Sequence, residues 1–494
     1  MRSLSQQHLF ALTILLIILT STFVEICHAR KHANWEIKDD IESSFSKKTP
    51  KGKTNHTSNS TKHKHQSSKH NSSPKKNPPP PPSPVPVPSP PSGPSPHTPV
   101  PPAPPGPHGT TFNVLDYGAK GDGVTDDTKA FQGTWTAACK VAASTMVVPS
   151  NHEFLVGPIS FAGPNCQPNI VFQLDGTIVA PANHKGFTSG LLQWIEFTKL
   201  RGITIQGQGI VEGHGNNWWN INSESDDEPD ITGSLSQTRP TSVRFYGSYN
   251  VTVTGITIRN SPQFHLKFDT CQSVLVYGIT ISSPGDSPNT DGIHLQNSAS
   301  VTIHDSTLAC GDDCVSIQAG CSNVFIHDVT CGPGHGISIG GLGKDNTMAV
   351  VSGITVQNIK MTGTLTAARI KTWQGGSGSV TNVRFANIQL SEVKTPIVID
   401  QYYCNGQSPS HCANKSSAVT LSDITFQGFV GTYTVQPLYL ACSDNTPCRN
   451  IHLADIELQP AEGDNRSYGP FCWNAYGDLK APTEPPITCL KNDK

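Results

Sequence analysis

The chain has 494 residues, enough for one large domain or two to three ordinary ones, and a formal net charge of −2, which gives no overall basic charge; no nucleic-acid partner is expected. Only 15% of residues are charged, while Gly (43) and Pro (40) are abundant and Met (4) is scarce. The small net charge conceals an asymmetry: Arg30–His108 carries about 12 Lys/Arg against about 4 Asp/Glu, roughly +8, and the remainder from Gly109 about 22 against about 32, roughly −10.

The N-terminus, "MRSLSQQHLFALTILLIILTSTFVEICHARKH", has a positive start at Arg2 and an apolar run from Leu9 to Val24. The "CHA" before Arg30 resembles a signal-peptidase site. Residues 1–29 therefore read as a signal peptide; the alternative, a retained membrane anchor, is disfavoured because the run is short for a span. The expected localisation is secreted, extracellular and at the cell wall, with no membrane contact after cleavage. Fourteen cysteines fit an oxidising compartment. Cys27 leaves with the signal. Cys404/Cys412, Cys442/Cys448 and Cys472/Cys489 are close enough to form local bridges, with Cys139/Cys166 and Cys314/Cys331 as further pairs. Cys271, Cys310 and Cys321 remain, so at least one thiol is unpaired. Sequons at Asn55, Asn59, Asn71, Asn250, Asn414 and Asn465 agree with secretion.

Residues 30–77 form a basic low-complexity segment, as in "KGKTNHTSNSTKHKHQSSKHNSSPKKN", that cannot bury enough apolar surface to fold. "KHKHQSSKH" reads as a solvated basic run rather than a metal site. Residues 78–108 are a proline-rich linker of polyproline II type. The basic tail could hold the protein on cell-wall polyanions; a spacer or a removed pro-segment is the equal alternative.

The folded body, 109–494, opens with one helix candidate, "TDDTKAFQGTWTAACKVAA". Thr125 or Asp126 is expected to cap it, and Ala130, Phe131, Trp135 and Ala138 form its apolar stripe. Short β-rich words then recur: "VTVTGITI" from Val251, "VLVYGITI" from Val274, "VTIHDSTL" from Val301, "VFIHDVTC" from Val324, "ITVQNIKM" from Ile354, "VRFANIQL" from Val383, "VTLSDITF" from Val419 and "IHLADIEL" from Ile451. Apolar residues fall mostly at word positions one, three, six and eight, a strand alternation whose phase shifts at a corner. The 23- to 36-residue spacing suits one word per coil of a solenoid. A sandwich would not repeat words, and a propeller has a longer period. The predicted fold is all-β, a right-handed single-stranded parallel β-helix with an N-terminal capping helix, preceded by the disordered tail.

Coil stacking assembles scattered acids. Asp291 in "NTDG" lies 21 residues before Asp312, and His335 in "GHGISIG" lies 22 after Asp313, each gap close to one coil. "ARIKTW" follows one longer coil later and places Arg369 and Lys371 on one side of a strand. In a regular strand Asp312 and Asp313 would face opposite ways, so they must occupy a corner, which Gly311 permits. Three carboxylates beside a His and two cations suggest general acid–base chemistry on an anionic substrate, with at least one carboxyl kept protonated by its neighbours. Alone, the Asp pair is a turn-former or solvated, "GHG" and "NTDG" are turns, and Arg and Lys two apart are a solvated face; their joint register carries the reading. Three Asp could also hold calcium, but Arg369, Lys371 and His335 oppose a strong cation site.

These four motifs, "NTDG", "GDDC", "GHGISIG" and "RIKT", in this order, resemble the signature of polygalacturonases, the family 28 glycoside hydrolases. "FNVLDYGAKGDGVTDDTKAF" and "GIVEGHGNNWW" are similar to the plant branch. The resemblance runs from Thr111 to about Cys489. It implies inverting hydrolysis of α-1,4-galacturonosyl bonds in de-esterified pectin (homogalacturonan) by a monomer, without cofactor or metal. It implies Asp312 as general acid, Asp291 and Asp313 activating water, and His335 supporting the acid's ionisation and binding sugar. Asn289 would line the site, Arg369 and Lys371 would grip a carboxylate on the leaving side, and Tyr403 would bind substrate, with Tyr402 as the alternative. Stacking alone puts the carboxylates about 5 Å apart, which by the separation rule suggests retention instead. A pectate lyase, a rhamnogalacturonan-directed hydrolase and a wall-binding protein with an idle site remain as alternatives.

Overall fold

The computed structural model describes residues 109–182, 187, 193–219, 239–404, 417–462 and 468–492. The signal peptide, basic segment and proline-rich linker expected over 1–108 lie outside these residues. The chain winds into a right-handed parallel β-helix. Successive coils pair through two ladders, one of 22 strands and one of 11, and every strand pairing is parallel.

The repeated words form the larger ladder in register. Val251 stands beside Val274, then Val301, Val324, Ile354 and Val383 in succession. Their apolar positions point inward: Val251, Val253, Ile256 and Ile258 are all buried, as are their equivalents in later coils. The corner is set by backbone conformation. Word position five is Gly255, Gly278, Asp305, Asp328, Asn358, Asn387 and Asp455 in successive words, each with a left-handed φ between 47° and 78°. Gly, Asn and Asp are the residues that tolerate that region. A second left-handed residue precedes each word, as at Asn250, Ser273, Ser300 and Asn323.

One word is mis-set by sequence. Ile424, not Val419, stands beside Val383 and Ile451. The true word starts at Ile424 and has Gly431 where an apolar side chain ends the others, so its pattern is incomplete. The coils before Val251, whose strands include Ile170–Leu174 and Arg201–Gln206, also belong to this ladder.

Helix α1 (Thr128–Ala138) covers the first coils. The expected stripe of Ala130, Phe131, Trp135 and Ala138 is buried, with Trp135 packed on Phe161 (centroids 5.1 Å apart) and Phe131 on Phe154 (5.5 Å). The cap falls later than expected. The N-cap residue is Asp127, whose carboxylate instead accepts the backbone N–H groups of Lys120 and Gly121, while Asp126 accepts that of Thr128. Inside the coils Phe161, Phe197, Phe245 and Phe268 form a continuous stack, with neighbouring centroids 5.0–5.2 Å apart.

The bridges Cys139–Cys166, Cys314–Cys331, Cys442–Cys448 and Cys472–Cys489 are formed. Cys404 is disulfide-bonded, and its expected partner Cys412 lies outside the described residues. Cys271, Cys310 and Cys321 are all buried free thiols. Among the described residues no helix is long and apolar enough to cross a membrane.

Candidate active site

The site lies on the outer face of the 11-stranded ladder, on strands β1 (Leu266–Asp269), β2 (Ile293–Gln296), β3 (Val315–Ile317), β4 (Ile337–Leu342), β5 (Thr366–Trp373) and β6 (Thr395–Tyr403). Ile293, Val315, Ile337 and Ala368 are aligned across β2 to β5. Asp291, Asp313 and His335 each lie two residues before this row, so they form one column. Backbone bonds carry the register into it: Gly292 donates to the Asp313 carbonyl (2.9 Å) and Cys314 to the Gly336 carbonyl (2.8 Å).

Asp312 and Asp313 occupy the bend that leads into β3, not a regular strand, which lets both turn to the same face. Gly311 serves this by close approach rather than by a left-handed backbone. A Cβ there would sit 1.9 Å from the Ser287 carbonyl oxygen. The Asp312 carbonyl in turn accepts the His335 N–H at 2.7 Å and ties the bend to the next coil.

All three carboxylates are nearly inaccessible, with Asp291 4%, Asp312 5% and Asp313 2% exposed, and each has protein partners that offset desolvation. Asp312 Oδ1 is bonded to His335 Nδ1 (2.7 Å) and accepts the Asp313 backbone N–H (2.8 Å). Asp313 accepts from Ser338 Oγ at 2.6 Å on one oxygen and from Lys371 Nζ at 3.0 Å on the other. Asp291 Oδ2 is bonded to His294 Nδ1 at 2.8 Å. Burial, and next the Lys267 charge, push the His294 pKa well down, which favours its neutral ring. Burial and neighbouring Arg369 oppose the Lys371 charge, yet the Asp313 carboxylate and its neighbours outweigh them and raise its pKa above the ordinary value.

Arg369 and Lys371 lie side by side on the outer face of β5, both buried, with their charged ends 5.7 and 5.5 Å from the Tyr403 ring. Tyr403 is thus the tyrosine beside these two cations. Tyr402 is directed to Asp444, and burial, with that carboxylate, pushes its hydroxyl up to about 12. Asn289 is half-buried in a left-handed conformation (φ 56°), two residues before Asp291. The structure therefore brings Asp291, Asp312, Asp313, His335, Arg369, Lys371 and Tyr403 onto one face, with Asn289 at its edge.

Three residues were missed in the sequence. Ser338, His294 and Lys267 share a single outward row with Ser316 and Arg369. The signal was available: each lies one coil from another along that row. Asp312, Asp313 and His335 also present ligand atoms within 4.8 Å of one another, a spacing a metal ion could use. The Lys371 ammonium on Asp313 and the His335–Asp312 bond already engage those groups, so this donor set does not suit a divalent cation.

A family model described as glycosyl hydrolases family 28 matches residues 139–469. A probable polygalacturonase of Arabidopsis thaliana is 40% identical over 385 residues, 77% of this chain and 84% of its own length. A polygalacturonase of Cryptomeria japonica is 42% identical over 353 residues, 71% of this chain and 68% of its own length. Among solved structures, the polygalacturonase from Erwinia carotovora ssp. carotovora superimposes with a TM-score of 0.61 at 25% identity, covering 76% of this chain and 98% of that one. Coil architecture, stacked acids and sequence likeness over most of the folded body agree: the chain belongs to the glycosyl hydrolases of family 28.

Proposed function

We propose that the protein is a secreted polygalacturonase that hydrolyses α-1,4-galacturonosyl bonds of de-esterified pectin in the cell wall, with inversion and without a cofactor. The observation that carries this reading is the division of labour between adjacent carboxylates. Asp313 accepts from Lys371 on one oxygen and from Ser338 on the other, an acceptor's environment suited to a base. Asp312 has two donors on Oδ1, which leaves the transferable proton to Oδ2. Asp312 protonates the leaving oxygen, and the His335 N–H stabilises the carboxylate that results. Asp291, oriented by His294, shares with Asp313 the task of holding and deprotonating the attacking water. Arg369 and Lys371 supply positive charge for a galacturonate carboxylate, and Tyr403 packs beside them. Because a pair of acids holds the water, inversion is compatible with the short distance between coils that would otherwise suggest retention.

The test is digestion of polygalacturonate. New reducing ends of inverted anomeric form are expected, without the ultraviolet-absorbing unsaturated product that a lyase would give. Asp312→Asn is expected to lower kcat roughly 10²–10⁴-fold while polygalacturonate binding persists. Undiminished turnover in that variant would remove the assignment.

A further inference from the structure

The outward row of Arg369, Ser338, Ser316 and His294 continues beyond His294, toward the N-terminal coils, and two cations stand in it. Arg244 pairs with Lys267, and Lys267 with His294, across neighbouring strands. The two differ in their partners. Arg244 is neutralised by Glu196 (3.0 Å) and Asp269 (2.6 Å). Lys267 makes no ion pair or hydrogen bond through its ammonium among the described residues; Nζ lies only over the Phe264 ring, 5.6 Å from its centroid. Phe264 in turn stacks on His294 at 4.1 Å, nearly parallel, and His294 holds Asp291. The Asp269 and Asp291 carboxylates act on it through space only, and a half-buried ammonium with no anion in contact is unfavourable. Burial lowers its pKa to about 8, with Asp269 opposing the shift, so it is still largely charged at the mildly acidic to neutral pH of a plant wall.

We propose that Lys267, seated on the Phe264–His294 stack, binds the carboxylate of a second galacturonate, on the side of the scissile bond opposite Arg369 and Lys371. Lys267 and Arg369 are four ladder steps apart, about 19 Å at the inter-strand spacing. That is longer than any one sugar ring, so the two cations read different sugars of one chain. De-esterified substrate is then required on both sides of the cut rather than on the leaving side alone. The inference rests on the galacturonan reading of the site.

The experiment compares wild type, Lys267→Met and Lys267→Arg on polygalacturonate and on pectins of increasing methyl esterification. Melting temperatures show whether each variant is folded. Lys267→Met is expected to raise KM about tenfold, the scale of one charge-assisted hydrogen bond, with kcat within about threefold. Lys267→Arg should restore most of the loss. Esterification removes the carboxylate charge, so the ratio of wild-type to Lys267→Met kcat/KM should fall toward one as esterification rises. A constant ratio, an unchanged KM, or an effect confined to kcat with a shifted pH profile would overturn the proposal; the last would mean that Lys267 acts on Asp291 instead. The two readings separate by binding. If the wild type does not cleave polygalacturonate but still binds oligogalacturonate more tightly than Lys267→Met does, the hydrolase assignment fails and this one stands. Cleavage by the wild type with no Lys267 dependence sinks this one alone.

Discussion

Histidine environments in this protein follow the partner each ring meets. His265 is fully buried under the site, with Nδ1 on the Asp291 carbonyl and Nε2 on Ser283 Oγ. Burial depresses its pKa to about 4, against the ordinary 6.5. The unfolded chain therefore binds a proton between those values that the folded state refuses, and stability rises with pH across that window. Acidification from about pH 6.5 to 4 should cost on the order of 3 kcal/mol from this group alone. Denaturant midpoints measured across this range should show the slope, and His265→Gln should flatten it. The clustering of Asp291, Asp312, Asp313 and His335, by contrast, was legible from spacing, because a coil length of about two dozen residues converts sequence distance into contact. Ser338, His294 and Lys267 were not, although they obey the same arithmetic. Ser, His and Lys on a strand's outer face are ordinary, and nothing in one word marks them until their row is known to contain Arg369. The choice between Tyr402 and Tyr403 likewise depended on a local irregularity, since the pairing of β5 with β6 shifts between Lys371 and Trp373 and brings Trp373 beside Tyr403.

At the level of the element, the corner residues decide which words can be coils. Gly278 has a left-handed φ of 62° and open space around it, the nearest atom to a built Cβ being Thr254 Oγ1 at 3.8 Å. Gly278→Asn should be nearly neutral and Gly278→Val should cost about 1–2 kcal/mol. Gly255 occupies the same position one coil earlier, but a Cβ there would lie 2.3 Å from the Gly207 carbonyl oxygen. Gly255→Asn should therefore be clearly destabilising where Gly278→Asn is not, and chemical denaturation of the pair distinguishes steric from conformational demand. The same corner explains the displaced word. "VTLSDITF" mimics the pattern, but its Asp423 is the left-handed residue that precedes a word, and Gly428 is the true corner. Hydrophobic alternation alone could not separate the two positions, since both registers alternate. The helix cap moved for a related reason: Asp127 is committed to a loop, and its neighbour Asp126 bonds the first turn.

For the whole molecule, charge is divided between a basic segment and an acidic body. We propose that the segment before Gly109 retains the enzyme on anionic pectin by ion exchange. Wall retention of the full-length protein should fall steeply as salt rises, and a form starting at Gly109 should elute early at every salt concentration. Equal retention of the two would leave the segment a spacer. The parallel ladder has a wider effect. It fixes the row of candidate site residues through main-chain hydrogen bonds that, proline apart, do not depend on side-chain identity, whereas the excursions joining one strand to the next are unconstrained in length. Long and short arcs alike return to the same rung. Insertions can therefore change what surrounds that face, and reshape which polymers reach it, while the row itself stays in place.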